Sequence, residues 1–148
     1  MKSAVVDTNV FLRLAFEEPG WEECGRLLDS VYSGQEQGII SAIQISELFT
    51  PFEQTNDRDA RDKLASTIKK SKLKIRIVDE ELAKLSAKIR ATEKTPSGTS
   101  LALADSIVLA TALLEEADAL YTLDMDFSQV KNGTMQTKIT APSMAIEQ

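Results

Sequence analysis

The chain contains no histidine and only one cysteine, Cys24, among its 148 residues. Without histidine, it cannot form a Ser-His-Asp triad, a Cys-His pair or a histidine-bearing zinc site. A single cysteine excludes a disulfide within the chain and is typical of a reducing compartment. The helical spacing of Cys24 with Leu28 and Val31 predicts that the thiol packs in the core. Any catalysis must therefore rest on carboxylates.

Long apolar runs are absent as well. No stretch approaches the ~20 residues needed to span a bilayer. The apolar residues 4–6 are followed at once by Asp7, and Asn9 and Arg13 come soon after. We therefore expect a soluble, cytoplasmic protein with no export signal and no membrane contact.

Basic residues are fewer than acidic ones. The chain has 17 Lys and Arg and 23 Asp and Glu, which gives a net charge of −6. This sign argues against tight nonspecific binding of nucleic acid. Two divalent ions at an acidic site would locally reverse it, so metal-dependent work on phosphate stays open. With 43% hydrophobic residues, the chain is expected to form one domain over residues 1–148.

Short apolar strands alternate with amphipathic helices, which predicts an α/β fold with a parallel sheet covered on both faces. Ser41 and Gln44 form a capping-box signature at a helix start. Residues 104–117 are apolar nearly all round and predict a central buried helix, and the hydroxyl-rich residues 92–100 predict a loop or flap before it. The five predicted strands span residues 3–7, 38–41, 74–78, 119–123 and 136–140.

Four acids lie where these elements would deliver them to one place. Asp7 ends the first strand and Asp124 follows the fourth, and the carboxyl ends of parallel strands share one edge of the sheet. Asp105 lies in the first turn of the buried helix, and Glu47 lies on the helix after the second strand. Mg²⁺ and Mn²⁺ prefer such oxygen ligands, and two ions ~3.5–4 Å apart can activate water against a phosphodiester. The pattern predicts a divalent-metal site.

Four segments, in this order, resemble the motifs of PIN-domain ribonucleases across nearly the whole chain: residues 5–9 (VVDTN), 46–48 (SEL), 104–112 (ADSIVLATA) and 121–127 (YTLDMDF). The small single-domain size makes the chain similar to VapC-type toxins of toxin–antitoxin pairs. The resemblance implies a three-layer α/β/α fold with strand order 3-2-1-4-5. It also implies an endoribonuclease that uses Mg²⁺ or Mn²⁺, acts on RNA, forms a homodimer and binds a cognate antitoxin.

The same resemblance assigns the functional residues. It implies that Asp7, Glu47, Asp105 and Asp124 are the metal-binding and catalytic acids. Polar support is implied for Thr8, Asn9 and Thr122, with Asp126 as a supporting acceptor or a turn cap.

Each acid also has a purely structural explanation. Asp7 and Asp105 could cap helices, Asp124 with Asp126 could form a turn, and Glu47 could be a solvated helical residue. Four coincident structural explanations are less plausible than one shared site.

Two basic features could contact RNA. Arg13 lies on the helix that starts at the proposed site. The cluster at residues 69–76 contains Lys69, Lys70, Lys72, Lys74 and Arg76, and we favour a solvated helix end and edge strand for it.

Other functions remain open from the sequence. The chain could be a stand-alone RNA-processing nuclease, or a catalytically silent module that binds RNA or protein. Ribonuclease H-like and haloacid-dehalogenase-like enzymes also use carboxylates. The helix directly after the first strand disfavours the former, and Asn9 disfavours the latter.

Overall fold

A computed structural model describes residues 1–130 and 138–140 and contains a parallel β-sheet. The sheet has the order β3-β2-β1-β4-β5, which confirms the predicted fold class. Four strands in the order 3-2-1-4 form its body, and the short β5 pairs with β4. The strands are β1 (Lys2–Val6), β2 (Glu36–Ser41), β3 (Lys74–Arg76), β4 (Ala119–Tyr121) and β5 (Lys138–Thr140).

Several strands are shorter than predicted because their neighbours end first. Arg76 pairs with Ser41, the last residue of β2, so Ile77 and Val78 have no strand beside them and are exposed. Tyr121 likewise pairs with Val6, the last residue of β1. The predicted β5 began at residue 136, and its first two residues lie outside the described part of the chain.

Helices cover both faces of the sheet. α6 is apolar and centrally buried as predicted, but its boundaries are 103–114 and the predicted limits were 104–117. The helices are α1 (Thr8–Ala15), α2 (Trp21–Tyr32), α3 (Ala42–Gln54), α4 (Arg58–Lys70), α5 (Glu80–Thr92) and α6 (Leu103–Leu114).

The core divides into two layers because side chains alternate along each strand. Val5 and Ile39 face one layer together with residues of α5 and α6. Val6 and Ile40 face the other layer, which includes Cys24. The buried position of Cys24 confirms its predicted packing role. Across residues 1–130 and 138–140, no helix has both the length and the apolar character that a bilayer crossing requires.

Candidate metal centre

The site begins where β1 and β4 end side by side. The backbone N–H of Asp7 donates to the carbonyl of Tyr121 across 2.9 Å. One residue further along β4, the Thr122 hydroxyl donates to Asp7 Oδ2 across 2.7 Å. The same hydroxyl oxygen accepts the N–H of Asp124 at 3.0 Å. The predicted proximity of Asp7 and Asp124 therefore follows from strand order.

Further hydrogen bonds hold the Asp7 carboxylate, which is only 5% exposed. Oδ1 accepts the N–H of Thr8 at 2.8 Å, and Oδ2 accepts the side-chain amide of Asn9 at 3.2 Å. The Asn9 carbonyl oxygen in turn accepts the N–H of Leu123 at 3.2 Å. Asp7 therefore caps α1 and also faces the site, so its structural explanation and its functional one are compatible.

Three acids form the densest part of the cluster. Asp105, Asp124 and Asp126 each offer a carboxylate oxygen, and these oxygens all lie within 4.8 Å of one another. Asp105 is the third residue of α6 and does not cap it, since Ala102 holds the N-cap position. Asp124 does cap the short 3-10 helix Met125–Phe127 and accepts the N–H of Asp126 at 2.9 Å.

The Asp126 carboxylate belongs geometrically to this ligand group. We expected it only as a supporting acceptor or a cap.

Glu47 reaches the site from α3. Its Oε1 accepts the Thr8 hydroxyl at 3.0 Å, so it is neither isolated nor simply solvated. The capping box of Ser41 and Gln44 at the start of α3 is present as predicted. However, the Gln44 amide also donates to the Val6 carbonyl at 2.7 Å. The sequence predicted the cap but gave no sign of this inward contact.

Burial and mutual repulsion act on two of the acids. Burial raises the pKa of Asp7 to about 6, although the bonds from Thr122 and Thr8 oppose the shift, and Glu47 and Asp124 add to it. Burial also raises the pKa of Asp105 to about 7, helped by its carboxylate neighbours Asp124, Asp7, Asp126 and Glu47. The other four acids therefore all lie within electrostatic reach of Asp105.

The cluster needs positive charge. Ion pairs in the described chain involve other acids, namely Glu23, Glu53, Asp62, Asp79, Glu80 and Glu115. Partly buried carboxylates at close range are costly unless a cation compensates them. An all-oxygen donor set of this kind fits Mg²⁺ or Mn²⁺ and offers no soft ligand. The residues present therefore suit a hard divalent ion.

Comparison with known proteins shows the family of the chain. The model of the PIN domain family matches residues 4–133. The chain belongs to the PIN domain family. A search of curated proteins found no match.

Solved PIN structures share the fold at low sequence identity. VapBC2 from Rickettsia felis, bound to a promoter DNA fragment, aligns with TM-score 0.72 and 16% identity over 94% of this chain and 98% of that one. A toxin–antitoxin complex from Klebsiella pneumoniae aligns with TM-score 0.67 and 24% identity over 94% of this chain and 97% of that one. The Mycobacterium tuberculosis VapC20 toxin, which cleaves the sarcin–ricin loop, aligns with TM-score 0.67 and 16% identity over 84% of this chain and 92% of that one.

Three of the basic residues of this PIN domain that were expected as candidates for RNA contact lie in structural contacts. Arg13 donates from Nη1 to the Pro19 carbonyl at 3.2 Å, beyond the end of α1. Lys74 and Arg76 both pair with Glu115 at the end of α6. Lys69, Lys70 and Lys72 are exposed. RNA contact by Arg13 stays a prediction, and alanine replacement with RNA binding as the readout tests it.

Proposed function

We propose that this PIN domain is a metal-dependent endoribonuclease that hydrolyses RNA phosphodiester bonds at the acidic cluster. The main support is the convergence of Asp105, Asp124 and Asp126 within 4.8 Å, beside Asp7 and Glu47, in a chain of this family. The helix caps made by Asp7 and Asp124 do not account for the proximity of five carboxylates, two of which have raised pKa values. A site for Mg²⁺ or Mn²⁺ accounts for it.

Each acid has a defined part in the proposal. Asp105, Asp124 and Asp126 would hold the cation through their clustered oxygens, and Asp7 at the end of β1 and Glu47 on α3 would complete the ligand set. Thr122, Thr8 and Asn9 fix the orientation of Asp7, Glu47 and Asp124 through the hydrogen bonds described above. A bound divalent cation would supply Lewis-acid activation of the phosphodiester and of a water molecule.

Hydrolysis is expected to proceed without a covalent protein intermediate. The chain has no histidine, so a histidine-activated nucleophile or 2′-hydroxyl is not available. The new bond forms between phosphorus and a water oxygen, and the bond from phosphorus to the leaving ribose oxygen breaks. The leaving oxygen takes up a proton, and the product ends in a phosphomonoester.

Isotope labelling tests this chemistry directly. Cleavage of an RNA oligonucleotide in ¹⁸O-labelled water with Mn²⁺ should place one ¹⁸O atom in the terminal phosphate of the product. Attack by the 2′-hydroxyl would instead first give a 2′,3′-cyclic phosphate without the label. Mass spectrometry of the product ends distinguishes the two, and an unlabelled cyclic phosphate contradicts the proposed mechanism.

A toxin role is proposed with the nuclease activity. The similar structures include toxin–antitoxin complexes, and the small single PIN domain fits that class. We propose a cytoplasmic homodimer whose cognate antitoxin covers the acidic groove. Co-expression with the product of an adjacent small gene should give a stable complex with suppressed cleavage. Active enzyme with no such partner would favour a stand-alone RNA-processing nuclease.

A further inference from the structure

Gln44 is a polar side chain with no exposed surface at the junction of β1, α1 and α3. We propose that it is a positioning residue of the metal centre, which fixes the Thr8 hydroxyl as a donor and thereby holds the Glu47 carboxylate at the acidic cluster. The inference rests on the proposed metal-dependent function. It adds a residue outside the acids and their immediate neighbours.

Two backbone groups fix the orientation of the Gln44 amide. Its Oε1 accepts the N–H of Ser41 at 2.8 Å, and its Nε2 donates to the carbonyl of Val6 at 2.7 Å. A reversed amide would set N–H against N–H and oxygen against oxygen, so this orientation is the only one that satisfies both groups. The second Nε2 hydrogen then points to the Thr8 hydroxyl oxygen, 3.4 Å away.

The Thr8 hydroxyl consequently has a defined direction. A hydroxyl carries one hydrogen, and its oxygen can accept from other donors. Because Gln44 donates to the Thr8 oxygen, the Thr8 hydrogen is available for Glu47 Oε1, 3.0 Å away. The chain of donors runs from Gln44 through Thr8 to Glu47.

This chain joins the elements that carry two different acids. Val6 is the residue directly before Asp7, and the N–H of Thr8 donates to Asp7 Oδ1. Glu47 lies on α3, one turn beyond Gln44. The buried amide therefore sets the position of α3 relative to the end of β1, and with it the distance between Glu47 and Asp7.

The competing explanation is that Gln44 serves only the capping box of α3. The chain offers a matched control, since Ser41→Ala removes the other half of the same box, in which the Ser41 side chain accepts the backbone N–H of Gln44. It also removes the bond from the Ile43 N–H to the Ser41 oxygen. That change weakens the helix start and leaves Thr8 untouched. A capping role alone predicts similar consequences for Ser41 and Gln44 variants.

The test measures Mn²⁺ affinity by electron paramagnetic resonance of the free ion, using the full chain, with urea unfolding in parallel. The variants are Gln44→Met, Thr8→Val, Thr8→Ser, Ser41→Ala and the double variant Gln44→Met/Thr8→Val. We expect Gln44→Met and Thr8→Val each to raise the Mn²⁺ dissociation constant about tenfold, as outer hydrogen-bond partners of metal ligands do. Thr8→Ser keeps the hydroxyl and should stay within about twofold of the unmodified protein.

Two comparisons make the result specific. Ser41→Ala should lower stability toward urea with at most about a twofold change in Mn²⁺ affinity. The double variant should bind Mn²⁺ no more weakly than the weaker single variant, because both substitutions break one chain of donors. If Gln44→Met does not fold, the comparison of Thr8→Val with Thr8→Ser can still contradict the inference. Both Thr8 variants leave the bonds of Gln44 to the backbone intact.

Three results would overturn the inference: an unaffected Thr8→Val protein, a Ser41→Ala effect on Mn²⁺ affinity equal to that of Gln44→Met, or losses that multiply in the double variant. A different result is expected if the acidic cluster does not bind metal at all. In that case the unmodified protein would bind Mn²⁺ no better than Asp105→Asn, and the proposed function would fall together with the role of Gln44.

Discussion

The Thr122 hydroxyl donates to Asp7 Oδ2 across 2.7 Å while its oxygen accepts the N–H of Asp124. One side chain directly after β4 thus orients two acids, Asp7 at the end of β1 and Asp124 two residues further along the chain. The relationship depends on the direct pairing of β1 with β4. Strand order therefore determines the geometry of the site.

Asp105→Asn should separate metal binding from folding. Asp105 has a raised pKa because of burial and four neighbouring carboxylates, so the neutral amide relieves repulsion in the metal-free protein. At pH 8 with chelator, we expect the free energy of unfolding of Asp105→Asn to exceed that of the unmodified protein by about 1 kcal/mol. The gain is small because solvent screens this half-exposed group. Mn²⁺ should raise the melting temperature of the unmodified protein but not of Asp105→Asn. Equal Mn²⁺ stabilisation of both proteins would remove Asp105 from the ligand set.

The pH dependence of stability without metal follows from Asp7. Its pKa is about 6 in the folded protein against a usual 3.8. Between these values the unfolded chain loses the proton first, so the free energy of unfolding falls as pH rises from about 4 through 6. Asp105 extends this loss to about pH 7.

Urea unfolding of the unmodified protein and of Asp7→Asn, with chelator at pH 5 and pH 7.5, measures this effect. The stability difference between the two proteins should shift by about 1 kcal/mol in favour of Asp7→Asn at the higher pH. A difference independent of pH would show that Asp7 titrates normally in the folded state.

Much of the fold could be predicted from the sequence because hydrophobic periodicity and strand alternation are strong in this chain. The adjacency of Asp7 and Asp124 required β1 and β4 to be neighbours, and that strand order was implied by the family resemblance. The ends of β3 and β4 could not be predicted, since pairing stops where a neighbour ends and not where apolar residues end. Ile77 and Val78 continue the alternating pattern but have no partner strand.

The roles of two polar residues were also beyond the sequence. Asp126 lies in the short 3-10 helix that Asp124 caps, and Gln44 completes the capping box of α3. A side chain that satisfies a local motif can use a second face for a distant contact. Only the three-dimensional structure shows that Gln44 contacts the Val6 carbonyl and that the Asp126 carboxylate lies beside Asp105.

Asp126 should contribute to the metal site. We expect Asp126→Ala to weaken Mn²⁺ binding about tenfold, because it removes one oxygen of the group within 4.8 Å and one of its negative charges. Asp29→Ala is a suitable control, since this exposed residue of α2 carries the same charge. Isothermal titration calorimetry with Mn²⁺ measures the Mn²⁺ affinity of both variants. Equal affinity of the two would remove Asp126 from the ligand set.

Leu109 tests the packing of α6 independently of the site. Its side chain is fully buried, so Leu109→Ala should lower the free energy of unfolding by about 2 to 5 kcal/mol. Leu103 lies on the same helix and is 55% exposed. Leu103→Ala should therefore change the free energy of unfolding by less than about 0.5 kcal/mol. Urea unfolding of both variants is the measurement. Similar small losses would mean that α6 is not the centre of the core.

Cleavage of a structured RNA pool by the purified protein tests the central claim most directly. The reactions contain Mg²⁺, Mn²⁺ or chelator, and Asp7→Asn protein purified in parallel controls for contaminating ribonuclease. We predict cutting that requires the metal and disappears in Asp7→Asn, because that change removes a ligand at the end of β1. Cutting that persists in chelator, or that Asp7→Asn retains with equal metal dependence, would contradict the assignment of the acidic cluster as a metal-dependent nuclease site.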